Sequence, residues 1–293
     1  MVRRTLGALA LVGAATLAWS LVEAHAFTLR RVTVPVLPRG SEPLRVLHLS
    51  DLHLTPSQRD KIAWVRALAV EQFDLVVTTG DNLAHVNAVP SLLGAYQPLM
   101  SKPGMFVFGS NDYFGPRPVN PFAYFGGPSL FSPSRQELPA EHLRDGLVAG
   151  GWTDVNNARA EFTIDGLRIR VAGLDDPHIE RDEMPQPAPA SADADLVLGV
   201  VHAPYQRALK ALADDGAQLI LAGHTHGGQV CVPGVGALVT NCDLDTSRVK
   251  GLSRWPDAAG PWLHVSAGLG TSPFAPVRLA CRPEATILTL VEA

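Results

Sequence analysis

Five short apolar runs, each ending in a polar cluster, constrain this chain more than any other feature. RVLHLS (45–50), DLVVTTG (74–80), GMFVFGS (104–110), DLVLGVV (195–201) and AQLILAG (217–223) are near-continuous Val, Leu, Ile and Phe, as expected of strands covered on both faces. Helical patterns near 57–72, 88–100 and 204–214 alternate with them, so the order reads βαβα and predicts an α/β fold. FTIDGLRIRVAG (162–173) reads as a hairpin turning at Asp165-Gly166, which makes the sheets mixed. The chain has 293 residues, the size of one large domain or two small ones. With 46% hydrophobic and 18% charged residues it is too apolar for a disordered chain, and 26 Gly and 24 Pro interrupt it too often for a helical bundle. Segments 113–135 and 176–193 read as long loops, either binding loops or surface insertions.

The polar clusters carry the chemistry. Asp51 and His53 follow the first run, and alternation in extended chain puts them on one side. The second run ends in Gly80-Asp81-Asn82, the third in Gly109-Ser110-Asn111-Asp112, the fourth in His202, and the fifth in Gly223-His224-Thr225-His226. Residues beyond the carboxyl ends of neighbouring strands in an α/β sheet converge on one crevice. That crevice would hold Asp51, His53, Asp81, Asn111, His202, His224 and His226. Imidazole and carboxylate without thiolate suit Mn, Fe or Zn rather than Ca or a structural zinc cage. Seven ligands are too many for one small ion, whereas two divalent ions sharing a central carboxylate would use them all.

In this order, DLH, GDN, GSND, VVHAP and GHTH resemble the blocks of the calcineurin-like metallophosphoesterase superfamily across residues 45–226. GGQV and Cys281-Arg282-Pro283-Glu284 look like its bacterial membrane-associated branch. The resemblance implies a four-layer αββα sandwich of two mixed β-sheets flanked by helices. By position, it implies that Asp51, His53 and His226 hold a first metal, that Asp81 bridges, and that Asn111, His202 and His224 hold a second. GSND departs from the family pattern G-N-H-D/E: its Gly and Asp align, Ser110 falls on the family's Asn ligand, and Asn111 falls on its His. Either Ser110 is a weak neutral ligand or the Asn111 amide oxygen reaches the metal. The amide oxygen is preferred, being the better ligand. In both cases the block keeps no imidazole to act as acid. The expected activity is dinuclear-metal-dependent phosphoester hydrolysis of phosphodiesterase or pyrophosphatase type, a metal-bridging hydroxide attacking phosphorus beside Asp81, Asn111 and His202. The alternatives are an impaired phosphate-binding scaffold on the same fold and an envelope lipid or nucleotide-sugar pyrophosphatase.

Thr5 to Val22 is an uninterrupted uncharged stretch behind Arg3 and Arg4. Its length suits a membrane anchor, while Ala24-His25-Ala26 suits cleavage of a signal. Arg30 and Arg31 balance the basic pair, so charge says little about topology. The expected organisation is an anchor or signal at 1–26, a connection at 27–43 and a catalytic domain at 44–293. The expected location is the cell membrane with the domain outside the cytoplasm, or secretion if the segment is cleaved. Lys plus Arg total 24 against 28 for Asp plus Glu, a net charge of -4, so no basic field draws nucleic acid. The expected partner is a phosphoester small-molecule or lipid substrate, and the oligomeric state is open.

Other residues carry weaker signals. Cys231 and Cys242 flank a plausible turn and would either pair or stay buried as free thiols. Asp175, Asp176 and His178 close a strand and either support the site or end a turn. His48 alternates inward and reads as a packed or supporting residue. His25, His85, His142 and His264 read as structural. Arg278 and Arg282 would meet a substrate phosphate or, the preferred reading, pair in the core or with solvent.

Overall fold

A computed structural model describes residues 2–118, 134–187 and 194–293, the side chains of residues 2–9 excepted. The parts of the two expected loops at 119–133 and 188–193, and the side chains of the first residues of the expected anchor, lie outside the described residues. Two six-stranded sheets pack face to face, and β10 (Cys231–Val232) pairs with β11 (Gly236–Ala237) in a separate two-stranded sheet. The first runs β1 (Thr28–Leu37), β14 (Glu284–Glu292), β2 (Leu44–Leu49), β3 (Leu75–Thr78), β4 (Gly104–Phe106), β5 (Trp152–Asp154). The second runs β12 (Gly251–Arg254), β13 (Trp262–Val265), β9 (Leu219–Ala222), β8 (Leu196–Val201), β7 (Leu167–Leu174), β6 (Ala158–Ile164). In the first sheet β2 to β5 run parallel and β14 pairs antiparallel with β2; in the second β7, β8, β9 and β13 run parallel and the edge strands β6 and β12 pair antiparallel.

Alternation along the strands sorts side chains into layers. Val46, Leu75, Val77, Leu288, Leu198, Leu219 and Leu221 face inward and form the core between the sheets. Leu47, Val76 and Ile287, one residue out of step, face outward under α2 (Arg59–Ala67), α3 (Val89–Tyr96) and α5 (Ala140–Ala149). Ile220, Val201 and Leu263 of the second sheet lie under α6 (Gln206–Asp214). The result is the expected αββα sandwich. Each such fully buried Val or Leu contributes about 1.5–3 kcal/mol relative to exposure.

Several expectations change. Residues 27–43, expected to connect, contain β1, which pairs in parallel with β14 from Thr28↔Glu284 to Val34↔Leu290. Pro35 is tolerated because β1 is an edge strand, where a missing N–H breaks no ladder. The run at 104–110 is strand only to Phe106, and its polar end winds into the short α4 (Ser110–Tyr113). The N-terminal stretch forms α1 (Val2–Glu23). Among the described residues no helix is long and apolar enough to cross a membrane.

Candidate metal centre

Backbone hydrogen bonds continue the sheet past the ends of β2 and β3. Asp51, His53 and Leu54 donate N–H groups to the carbonyls of Gly80, Asp81 and Asn82 at 2.8–2.9 Å, so the DLH and GDN loops lie side by side. Asp112 ties in the third loop, accepting from Asn82 N at 2.8 Å and from Gly109 N at 3.0 Å. Gly109 is required there, since a Cβ would meet Asp81 Oδ1 at 2.3 Å and the His202 ring at 2.7 Å. Five of the candidate ligands have left-handed backbone: Asp51 (φ 50°), His53 (42°), Asp81 (53°), His224 (69°) and His226 (50°). Such conformations cost about 1–3 kcal/mol each and concentrate at functional sites.

The expected ligands come together. Asp51, His53 and His226 have ligand atoms all within 4.8 Å of one another, as do Asp51, Asp81 and His202. Nitrogen assignments follow from the neighbouring carbonyls, which only accept. His226 Nδ1 donates to Gly270 O at 3.1 Å, which turns its Nε2 toward His53 Nε2, 3.1 Å away. His224 Nε2 donates to Asn241 O at 3.0 Å and leaves Nδ1 facing His202 Nε2 at 3.3 Å. His202 Nδ1 donates to Thr79 O at 2.6 Å, so its Nε2 faces Asp81 Oδ1 at 3.5 Å. Carbonyls that fix the outer nitrogen of an imidazole in this way are the usual support of metal-ligating histidines.

Electrostatics point the same way. Burial lowers His53 to about 4 and holds His226 well below the ordinary value, so both rings are neutral and the His226 Nε2 lone pair faces His53 Nε2 across 3.1 Å. Burial pushes Asp51 up to about 6, and the Asp81 charge adds to the rise. Burial would raise Asp81 as well, but the His202 charge beside it holds it well below the carboxylate range. Burial opposes charge on His202, yet Asp81 and Asp176 draw it well above the ordinary value. Anions that pull a proton onto a buried ring would hold a divalent cation in its place. The donor set, carboxylate oxygens and inward-facing imidazole nitrogens, therefore fits divalent transition metals.

The GSND loop places Asn111 beside the central carboxylate. Its N–H and Nδ2 donate to Asp81 Oδ1 and Oδ2 at 2.7 and 2.6 Å, and its Oδ1 accepts from Arg135 Nη2 at 2.5 Å. Its amide oxygen thus faces a guanidinium rather than the imidazoles. Ser110 is buried one residue away, its Oγ 3.5 Å from Asn111 Nδ2.

Some contributors had no local signal in the sequence. Arg135, Asn241 and Gly270 reach the centre from loops distant in sequence. Asp176 Oδ2 is buried with no hydrogen-bond partner, and burial, with Asp81 adding, raises its carboxyl to about 7. His178 stands with its ring centroid 4.7 Å from that of His224, and its Nδ1 is 3.0 Å from Tyr205 Oη. The packing decides between two pairs of open readings. Arg278 is fully buried and donates to the carbonyls of Ala267, Gly268 and Gly270 at 2.7–3.1 Å, so it braces the loop behind His226 and meets no substrate. Cys231 packs with Cys281, both thiols donating to Gly227 O at 3.3 Å, whereas Cys242 lies in the separate core beside α6. The turn between Cys231 and Cys242 carries them apart.

The family model described as calcineurin-like phosphoesterase matches residues 44–228, more than half of the chain. The chain belongs to that family. The phosphoesterase is 26% identical over 264 residues to the uncharacterized metallophosphoesterase YkuE of Bacillus subtilis, covering 87% of this chain and 82% of that protein. It is 28% identical over 276 residues to the phosphodiesterase YaeI of Escherichia coli, covering 90% and 88%. Among solved structures it is similar to a dimetal phosphatase from Danio rerio, with TM-score 0.42, 12% identity and coverage of 80% and 88%. Membership makes this phosphoesterase a phosphoester hydrolase that uses divalent metal.

Proposed function

We propose that this phosphoesterase hydrolyses phosphodiesters or pyrophosphates with two divalent ions, and that its N-terminal segment holds it at the membrane with the domain outside the cytoplasm. The observation that carries the two-ion reading is the pair of facing imidazole couples, His53 with His226 and His202 with His224, on either side of Asp81. Ions held there would activate water and neutralise phosphoryl oxygens. The ligands would be Asp51, His53 and His226 on one side and His202, His224 and Asn111 on the other, sharing Asp81. For Asn111 to serve, its amide must turn its oxygen from Arg135 toward the centre.

The chain's own residues supply the rest. In hydrolysis a water oxygen bonds to phosphorus, the bond from phosphorus to the leaving oxygen breaks, and that oxygen takes up a proton. Arg135, held by the carbonyls of Phe114 and Gly115 at 2.6 and 2.9 Å, is the cation on the Asn111 side where the family's imidazole is missing. It can offset charge on the substrate but cannot give up a proton.

The test is elemental analysis combined with turnover of bis-p-nitrophenyl phosphate in Mn, with and without chelator. Wild type should hold two ions per chain. Asp81→Ala should lose both ions and more than about 10²-fold in kcat, beyond the loss of a merely supporting contact. No more than one ion in metal-replete wild type would sink the two-ion reading. Two ions without turnover on any phosphoester would make the chain a binding scaffold.

A further inference from the structure

α1 presents apolar side chains on all sides: Leu11, Val12, Leu17, Trp19, Leu21 and Val22 are 44–73% exposed. Its last turn is nevertheless fixed to the domain. Ser20 O accepts from Arg278 N at 2.9 Å, and the buried Glu23 carboxylate accepts from Ala280 N and Cys281 N at 3.1 and 2.7 Å. His25 Nδ1 lies 2.7 Å from Asp60 Oδ2, and Phe27 stacks on Trp64 with centroids 5.6 Å apart. The helix therefore leaves the domain between the 278–281 stretch and the start of α2.

These two stretches flank a groove. Thr55, shortly before α2, and Pro273 with Phe274, shortly before Arg278, line a cavity of about 260 Å³ whose other walls are Ala84, His85, Gly115, Pro116, Gln136 and Leu138. Three of its walls are carried by the metal-ligand loops, because Thr55, Ala84 and Pro116 lie just downstream of DLH, GDN and GSND. The bridge Leu54↔Leu83 keeps the first two of these loops together. Among the described residues no Lys, Arg, Asp or Glu lines it, and its polar side chains are Thr55, His85 and Gln136, so it offers no permanent charge to a second phosphate or a charged sugar. Its volume is below that of a pocket for a whole drug-sized ligand and suits one short segment of apolar chain. Phe274 is 52% exposed and lies four residues before Arg278, whose N–H meets Ser20 O at the end of α1.

We propose that the groove takes the alkyl chain of a lipid phosphoester, presented by a bilayer against which α1 lies. This inference rests on the hydrolase reading above and names the substrate class of the same site. The exposed helix brings the lipid surface to the groove mouth, the groove takes the first methylenes of one chain, and the phosphoester then falls at the ends of the three metal-ligand loops.

The test compares methyl and hexyl p-nitrophenyl phosphate, which share one leaving group, using the full chain in phosphatidylcholine nanodiscs. Burial of each methylene corresponds to about fourfold in affinity, so wild type should favour the hexyl ester by at least roughly tenfold in kcat/KM. Phe274→Asp should bring the two esters to the same kcat/KM while the melting temperature stays near wild type. Calorimetry with hexylphosphonate and methylphosphonate reads binding without turnover and should show the same contrast. A wild-type ratio near one overturns the inference, as does a preference that survives Phe274→Asp, which would reflect partition into the disc. A groove covered by a second copy of the chain would show as a dimer split by Phe274→Asp with no alkyl preference, again overturning it. If neither ester turns over but hexylphosphonate still binds through Phe274, the groove stands and the hydrolase reading falls.

Discussion

The Asp51 carboxylate can only accept hydrogen bonds when ionised, and this fixes every proton behind it. Ser50 Oγ donates to Asp51 Oδ2 at 2.6 Å and Thr79 Oγ1 donates to Ser50 Oγ at 2.7 Å. Thr79 must then accept from His48 Nε2 at 3.0 Å, which leaves His48 Nδ1 to accept from His264 Nδ1 at 3.0 Å. All four supporting side chains are buried. Burial holds His48 well below its ordinary value, with His264 adding, and lowers His264 to about 4, so both rings are neutral and carry opposite tautomers. A buried chain of donors pointing one way polarises each member in turn and presents Asp51 to a cation in one orientation. Thr79→Val breaks two links without adding volume. It should weaken one of the two proposed ions about 10–100-fold, read by competition with a chromophoric chelator, while the other ion and the melting temperature stay near wild type. Thr79→Ser should restore it. Equal affinity in Thr79→Val, or equal loss of both ions, would show that the chain only fills space. The inward position of His48 was legible from strand alternation; the role of His264 was not, because its partner lies 216 residues away in sequence.

At the scale of elements, the sequence announced what is buried on both faces and hid what is not. The parallel strands read clearly because both their faces are apolar. β1 did not, since Arg30 and Arg31 point outward from an edge strand and break the run, as Glu284 and Thr286 do at the buried start of β14, where Glu284 pairs with Arg30. The ligand blocks were legible because each sits at the end of a readable strand. Asn241, Gly270 and Arg135 were not, since a backbone carbonyl or a loop side chain recruited from afar leaves no periodic trace. The contact between α2 and the DLH loop is of this hidden kind. Lys61, one residue into the buried side of α2, donates from Nζ to Leu52 O at 2.7 Å, and burial, with the Arg278 charge adding, lowers it to about 7. In the unfolded chain a lysine keeps its proton up to about 10.4. Between these values the unfolded chain binds the extra proton, so stability rises with pH by up to about 1.4 kcal/mol per unit from this group, and below about 7 it contributes no further change. Chemical denaturation of the metal-free protein at pH 7.5 and 9.5 should show that gain in wild type and its absence in Lys61→Met. An identical pH slope in the two proteins would mean that Lys61 is charged in the folded state throughout.

For the whole molecule, charge and apolar surface give different accounts of how a chain reaches a membrane, and salt separates them. The net charge is -4 with 24 basic against 28 acidic residues, so the domain as a whole is repelled by an anionic lipid surface. Electrostatic attraction falls within a Debye length of about 8 Å at physiological ionic strength and about 3 Å at 1 M salt, whereas burial of apolar side chains is not screened. The proposed attachment through α1, with Leu11, Leu17, Trp19 and Val22 exposed, would be of the second kind. Expressed in a bacterial host with a C-terminal tag, the full chain should sediment with membranes, stay there through a wash in 1 M salt, and dissolve only in detergent. Protease added to spheroplasts should remove the tag, because Ala293 directly follows β14 and travels with the catalytic domain. Release by salt would assign the attachment to surface charge and remove α1 from it. A tag protected until the cells are lysed would place the domain in the cytoplasm, and the lipid chain entering the groove would then come from the inner leaflet.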